Sequence, residues 1–146
     1  MNLTVDDRKA YVYTANHAVD ATMPTVMFIH GAASDHSVWS LQSRYFAYHG
    51  WNALAVDLPG HGKSAAPPCA SVGAAADWIL RLLDATQMRQ AVLVGHSLGS
   101  LIALEAAARH PSRVTRLALI GSIVPMPVSE PLLQASRAND HVAYDM

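Results

Sequence analysis

Residues Ala91 to Ala108, AVLVGHSLGSLIALEAAA, constrain the fold more than any other stretch of this chain. An apolar, β-branched run, Ala91 to Val94, meets Gly95-His96-Ser97-Leu98-Gly99, and strong helix formers follow from Leu101 to Ala108. The pattern predicts a strand, a tight turn and a helix, with a serine at the bend. Gly95 and Gly99 flank that serine because a turn this sharp leaves no room for Cβ atoms. The bend lifts the Ser97 hydroxyl off the sheet and points the helix N-terminus at the same spot. Backbone N–H groups and the helix dipole there stabilise a developing negative charge.

The rest of the chain repeats the alternation. Lys9 to Thr14 reads as an early strand. Thr25 to His30 is a continuous apolar run before a glycine, hence a buried strand. Gly31 to Asp35 is a loop, and Asp35 or Ser37 caps a helix running to about His49, closed by Gly50. Trp51 to Asp57 is the next strand, and Leu58 to Ala70 a proline- and glycine-rich loop. Ser71 to about Thr86 is an amphipathic helix with Ala75, Trp78, Ile79, Leu82 and Leu83 on one face. The helix after Ser97 runs to His110, Pro111 stops it, and Val114 to Ile120 is a further strand. This order predicts an α/β fold of three layers, a mostly parallel sheet covered by helices on both faces. Sites in such sheets lie beyond the carboxyl ends of the strands, so His30-Gly31, Asp57, Ser97 and Gly121 should converge on one rim. Positions 1–124 form this core. Three prolines between Ile123 and Pro131 suit a segment leaving the sheet, and Leu132 to Tyr144 reads as helical.

Composition excludes several classes. Half of the 146 residues are apolar (51%) and 14% are charged, which describes a globular chain. A net charge of −1 with scattered Lys and Arg offers no stripe for nucleic acid. The eight histidines make no metal-ligand spacing, so neither a metal nor a cofactor is expected. Cys69 is the single cysteine, excluding an internal disulfide. Acidic residues near Met1 do not fit a signal peptide, and no apolar run reaches membrane-spanning length. A cytoplasmic chain without membrane partners is the expectation.

Two further motifs bear on chemistry. His30-Gly31-Ala32-Ala33 lies between a strand and a helix, and the Ala32 N–H can join the Leu98 N–H as two donors for one tetrahedral oxygen. His30 itself reads as a structural side chain bonded to backbone. With Gly31, His96 and Met126 it counts among the residues expected around the substrate pocket. Gly62-Lys63-Ser64 mimics the end of a phosphate-binding loop, but the first glycine of that motif would fall at Asp57. A rigid loop shaped by Pro59, Gly60 and Gly62 is the better reading.

Together His30-Gly31-Ala32 with Trp39, Asp57-Leu58-Pro59-Gly60-His61-Gly62-Lys63-Ser64 and Gly95-His96-Ser97-Leu98-Gly99 resemble the α/β-hydrolase family, in its serine-nucleophile, esterase- or lipase-like branch. The resemblance covers nearly the whole chain from about Lys9. It implies that Ser97 is the nucleophile, that Ala32 and Leu98 form the oxyanion hole, and that positions 125–146 begin a helical cap. Serine at the elbow disfavours the dehalogenase and epoxide hydrolase branches. The implied activity is cleavage of a small-molecule carboxylic ester or related acyl bond through an acyl-enzyme. A C–C bond hydrolase, a perhydrolase or an acyltransferase would use the same fold.

The family's acid and histidine follow later strands. His110 lies about 20 Å along the helix from Ser97 and Glu105 about 12 Å, both beyond hydrogen-bond reach. A local triad on His141, near Asp140 and Asp145, is the alternative to His141 as an exposed cap residue. The expectation is therefore the N-terminal part of a longer hydrolase, inactive alone, whose partner is the C-terminal portion of the same enzyme. A non-catalytic interaction module is the rival reading.

Overall fold

Apolar runs without polar alternation need cover on both faces. The computed structural model, which describes residues 1–138, gives them that cover. The strands are β1 (Asn2–Val5), β2 (Arg8–Tyr13), β3 (Thr25–Ile29), β4 (Asn52–Val56), β5 (Ala91–His96) and β6 (Val114–Ile120). The helices are α1 (Ser40–Tyr48), α2 (Val72–Ala85), α3 (Leu98–Arg109) and α4 (Glu130–Arg137). The sheet runs β1-β2-β4-β3-β5-β6. β4, β3, β5 and β6 are parallel, while β1 and β2 run antiparallel at one edge.

The period-two alternation of side chains along a strand sorts the core into two halves. Met27, Ile29, Leu54, Val56 and Leu93 pack with Trp78, Ile79, Leu82 and Leu83 of α2 and Ile102 of α3. Val26, Phe28, Ala53, Ala55 and Val94 face the other way, onto Trp39, Phe46 and Ala47 at α1. These are the three expected layers. The register that sets Phe28 beside Ala55 and Val94 lets one aromatic ring fill space left by a small neighbour.

Several local expectations need adjustment. β1 is a strand the sequence reading lacks: Asn2-Leu3-Thr4-Val5 alternates polar and apolar but is only four residues long, and its pairing with β2 holds it. The helix expected from Asp35 begins as a 3-10 turn, His36–Trp39, with the Asp35 carboxylate accepting from the Ser37 N–H at 2.7 Å. The α-helix proper starts at Ser40. α2 matches its predicted face, and Ser71 caps it through the Ala74 N–H at 3.1 Å. α4 covers Glu130–Arg137 and buries no residue. The remainder of the helix expected to Tyr144 lies outside the described residues, as do Asp140, His141 and Asp145.

β6 is the outer strand of the described sheet on the α3 side. It is apolar yet open: Leu117 and Ile120 are 37% and 46% exposed. An open apolar edge is a pairing surface for another strand.

Candidate active site

β5 ends at His96 and α3 begins at Leu98, so one residue makes the whole turn. Ser97 does this with φ 52° and ψ −119°, a conformation L side chains rarely adopt. The neighbouring glycines are obligatory. A Cβ at Gly95 would strike the Gly99 carbonyl and come within 2.6 Å of the Ser100 nitrogen. A Cβ at Gly99 would run into the carbonyls of β3's end, 2.6 Å from His30 O. The bend is held by hydrogen bonds. The Ser97 N–H donates to Ile120 O at 2.9 Å, and the Ser97 carbonyl accepts from the Ser100 N–H and hydroxyl at 2.9 and 2.6 Å. The half-buried Ser97 side chain makes no capping bond to the helix, which leaves its hydroxyl available.

The loop after β3 arrives over this bend. A Cβ at Gly31 would lie 3.3 Å from the Ser97 Cβ, so a side chain there would press on the serine. Ala32 follows, and Ala33 turns the chain with φ 54°. Leu98 is the first residue of α3, where an N–H has no intrahelical acceptor. Neither the Ala32 nor the Leu98 N–H has a hydrogen-bond acceptor among the described residues. Leu98 directly follows Ser97 in the chain, and Ala32 directly follows Gly31, whose would-be Cβ lies 3.3 Å from the Ser97 Cβ.

A buried brace behind the rim holds these loops. His30 is fully buried at 0% exposure, so it does not line a solvent-reachable pocket as the sequence reading had it. Its Nδ1 lies 2.7 Å from Gly31 O, and its Nε2 accepts the Leu58 N–H at 3.1 Å. Those partners require the neutral Nδ1–H tautomer. Burial pushes the His30 pKa down, in keeping with a neutral ring. The structural role read for His30 agrees with this geometry.

Asp57, also fully buried, is the larger finding. One carboxylate oxygen accepts from the His36 N–H at 2.7 Å and faces His36 Nδ1 at 2.8 Å. The other accepts from the Lys63 N–H at 2.8 Å. Gly62 must lack a side chain because the carboxylate fills the space its Cβ would take. Ser64 completes the brace, donating to Asp57 O at 2.7 Å and accepting the Tyr11 N–H at 2.9 Å. The Lys63 ammonium sits 4.5 Å over the Tyr11 ring. Gly62-Lys63-Ser64 is thus spent on structure. Sequence reasoning set Asp57 on the rim but missed His36. The available signal was that a carboxyl group at the end of a buried strand needs hydrogen-bond partners.

Asp35, His36 and Asp57 bring three potential metal-ligand atoms within 4.8 Å of one another. Each carboxylate already has protein donors: Asp35 accepts from Ser37, and both Asp57 oxygens are occupied. The Ser37 bonds hold the Asp35 carboxyl below the usual carboxylate range.

The expected convergence is realised. Gly31 touches Ser97, Leu58 bonds His30, and the exposed His96 ring lies between Gly31 and Gly121, at 3.2 and 3.5 Å from their would-be Cβ atoms. Met126 is half-buried in an otherwise exposed stretch. Glu105 is engaged with Arg109 at 2.6 Å, down the helix from Ser97. No helix among the described residues is long and apolar enough to cross a membrane.

Known proteins are similar to this chain in sequence and fold. The chain is 33% identical over 131 residues to an epoxide hydrolase of Caballeronia sordidicola, covering 84% of this chain and 39% of that protein. It is 29% identical over 111 residues to the (E)-2-((N-methylformamido)methylene)succinate hydrolase of Acinetobacter baylyi, covering 75% and 42%. The chain thus spans less than half the length of either relative. Among solved structures, an N-acyl homoserine lactone degrading enzyme superposes with a TM-score of 0.76 at 26% identity, covering 94% of this chain and 52% of that one. The family model for the alpha/beta hydrolase fold matches residues 24–144, and this chain belongs to that family.

Proposed function

We propose that this chain carries the nucleophile and oxyanion site of a serine hydrolase that cleaves a carboxylic ester or related acyl bond. The observation that carries the reading is Ser97 at φ 52° on a one-residue turn between β5 and α3, with the Ala32 and Leu98 N–H groups of the adjoining segments lacking acceptors among the described residues. Ser97 Oγ attacks the acyl carbon and gives up its proton to a base. The carbonyl oxygen becomes an oxyanion held by the Ala32 and Leu98 N–H groups. Collapse expels the alcohol and leaves an acyl-serine, which water then hydrolyses. One such donor in a hole of this kind is worth about 10²–10³ in rate.

The chemistry of serine supports acyl substrates over epoxides, despite the epoxide hydrolase relative. A hydroxyl opening an epoxide would leave an ether, which water does not cleave under mild conditions. An acyl-serine ester turns over. The lactone-degrading structural neighbour acts on a cyclic ester, which agrees with this chemistry.

The base and its carboxylate come from outside the described residues, on the C-terminal portion of the same enzyme. The exposed apolar edge of β6 is where that portion would add its strands. Fluorophosphonate labelling followed by peptide mass mapping tests the assignment. Labelling at Ser97 is expected when the chain is joined or mixed with a complementing C-terminal portion of the fold, and loss of p-nitrophenyl ester turnover is expected for Ser97→Ala in that assembly. Turnover unchanged by Ser97→Ala would overturn it.

A further inference from the structure

We infer that a groove at the amino-terminal ends of the parallel strands, remote from Ser97, binds a small organic anion carrying a flat ring. The groove holds about 520 Å³. All four parallel strands border it where they begin: Thr25 of β3, Trp51 just ahead of β4, Ala91 and Val92 of β5, and Thr115 and Arg116 of β6. Ala91 lies six residues before Ser97 along β5, about 20 Å at the rise of a strand. The groove is therefore separate from the hydrolytic centre proposed above and does not depend on it.

Two arginines give the groove its charge. Arg116 pairs in register with Val92, so the two side chains share a sheet face. Val92 packs against the same core cluster as Phe46 and Trp51, which sets Arg116 on the α1 side of the sheet, the side of the Trp51 indole. Arg89 enters from the turn between α2 and β5. Its carbonyl accepts from Arg113 Nε at 2.6 Å, and Arg113 is itself tied to Asp84 at 2.6 Å, so the backbone that carries Arg89 is held. Neither Arg89 nor Arg116 forms an ion pair among the described residues, whereas Arg81, Arg109 and Arg113 each hold a carboxylate. No Asp or Glu lines the groove. Asp20 turns its carboxylate onto the Thr22 N–H and hydroxyl, at 2.8 and 2.7 Å. Two guanidinium groups with no acid between them raise the local positive potential and offer N–H forks to an incoming anion.

The rest of the lining fits a flat apolar body. Trp51 is half-buried, meets the Phe46 ring edge-on at 5.7 Å and also borders the groove. Met23, Pro24 and Met88 extend the apolar wall. A ring laid on the indole, with its anionic group toward the arginines, uses both features, whereas inorganic phosphate uses one. The volume falls within the range of small-molecule sites.

Phenyl phosphate titrated into the isotope-labelled 146-residue chain, with the indole N–H signals followed by NMR, provides the test. Trp51 should move saturably, while Trp39 and Trp78, buried and outside the groove, should not. Arg89→Gln and Arg116→Gln, both at exposed positions, should each weaken binding about threefold. The double variant should lose saturation. Arg44→Gln, exposed but outside the groove, should bind as the parent does, which separates a built site from general charge attraction. Benzyl alcohol, the ring without the charge, should leave Trp51 in place. Ser97→Ala should retain binding, so the groove is tested separately from catalysis. A Trp51 signal that does not move, or that moves equally in the double arginine variant, would overturn the inference. So would loss of the shift when the chain is joined to a complementing C-terminal portion, since that portion would then fill the groove.

Discussion

Replacing Ser97 by glycine should stabilise this protein, whereas replacing it by alanine should not. Ser97 sits at φ 52°, ψ −119°, where a Cβ is crowded by the backbone on both sides. Alanine keeps the Cβ, so it keeps the strain. Glycine occupies this mirror-image region freely. Strain of this kind costs about 1–3 kcal/mol. Glycine adds backbone freedom to the unfolded chain, offsetting about 0.5–1 kcal/mol of the relief. The net gain over alanine is then about 0.5–2 kcal/mol. Unfolding entropy scales with length, and for 146 residues each kcal/mol moves the midpoint by about 3 °C. The Ser97 side chain makes no capping bond, so its removal forfeits no helix cap in either variant. Urea unfolding followed by tryptophan fluorescence, using Trp39, Trp51 and Trp78, measures the difference. A Ser97→Gly chain no more stable than Ser97→Ala would refute the claim that the turn stores strain to present the hydroxyl.

Other perturbations test the frame around that turn. Gly95→Ala drives a methyl into the Gly99 carbonyl, and should destabilise by about 3 kcal/mol or leave no folded protein; a normal melting curve would contradict the packing. Asp57→Ala strips the acceptor from the part-buried His36 and Lys63 N–H groups and should cost about 1–3 kcal/mol in urea unfolding. Asp57→Asn, which keeps one acceptor oxygen, should cost less. The pH dependence follows from His30. Its folded pKa is depressed by burial, so the unfolded state binds the proton first. The stability this ring contributes is complete above the unfolded value near 6.5 and is lost as pH falls toward the folded value. His30→Gln should flatten that part of the stability–pH curve; an unchanged slope would remove His30 as its source.

Much of the fold was readable from local pattern. Val26 to Ile29 and Ala91 to Val94 are apolar without interruption, as strands covered on both faces are. The α2 face from Ala75 to Leu83 was equally plain, because its 3.6-residue period survives any tertiary context. β1 was missed although Asn2-Leu3-Thr4-Val5 alternates polar and apolar, because four residues of alternation are a weak signal without the β2 partner that the fold supplies. The candidate site divides the same way. Gly95, Ser97 and Gly99 announce themselves within five residues. His36 and Asp57 lie 21 positions apart, and no spacing rule links a histidine in one loop to a carboxylate at the end of another strand.

The sequence alone determined that a serine stands at a glycine-flanked strand-to-helix bend inside an alternating α/β chain, because sterics within a few residues dictate it. Tertiary structure alone decided which amides remain without acceptors, how Asp57 is satisfied in the interior, and that Arg89 and Arg116 border one groove. Those features depend on segments distant in the chain meeting within a few ångströms, and local propensity carries no record of such meetings.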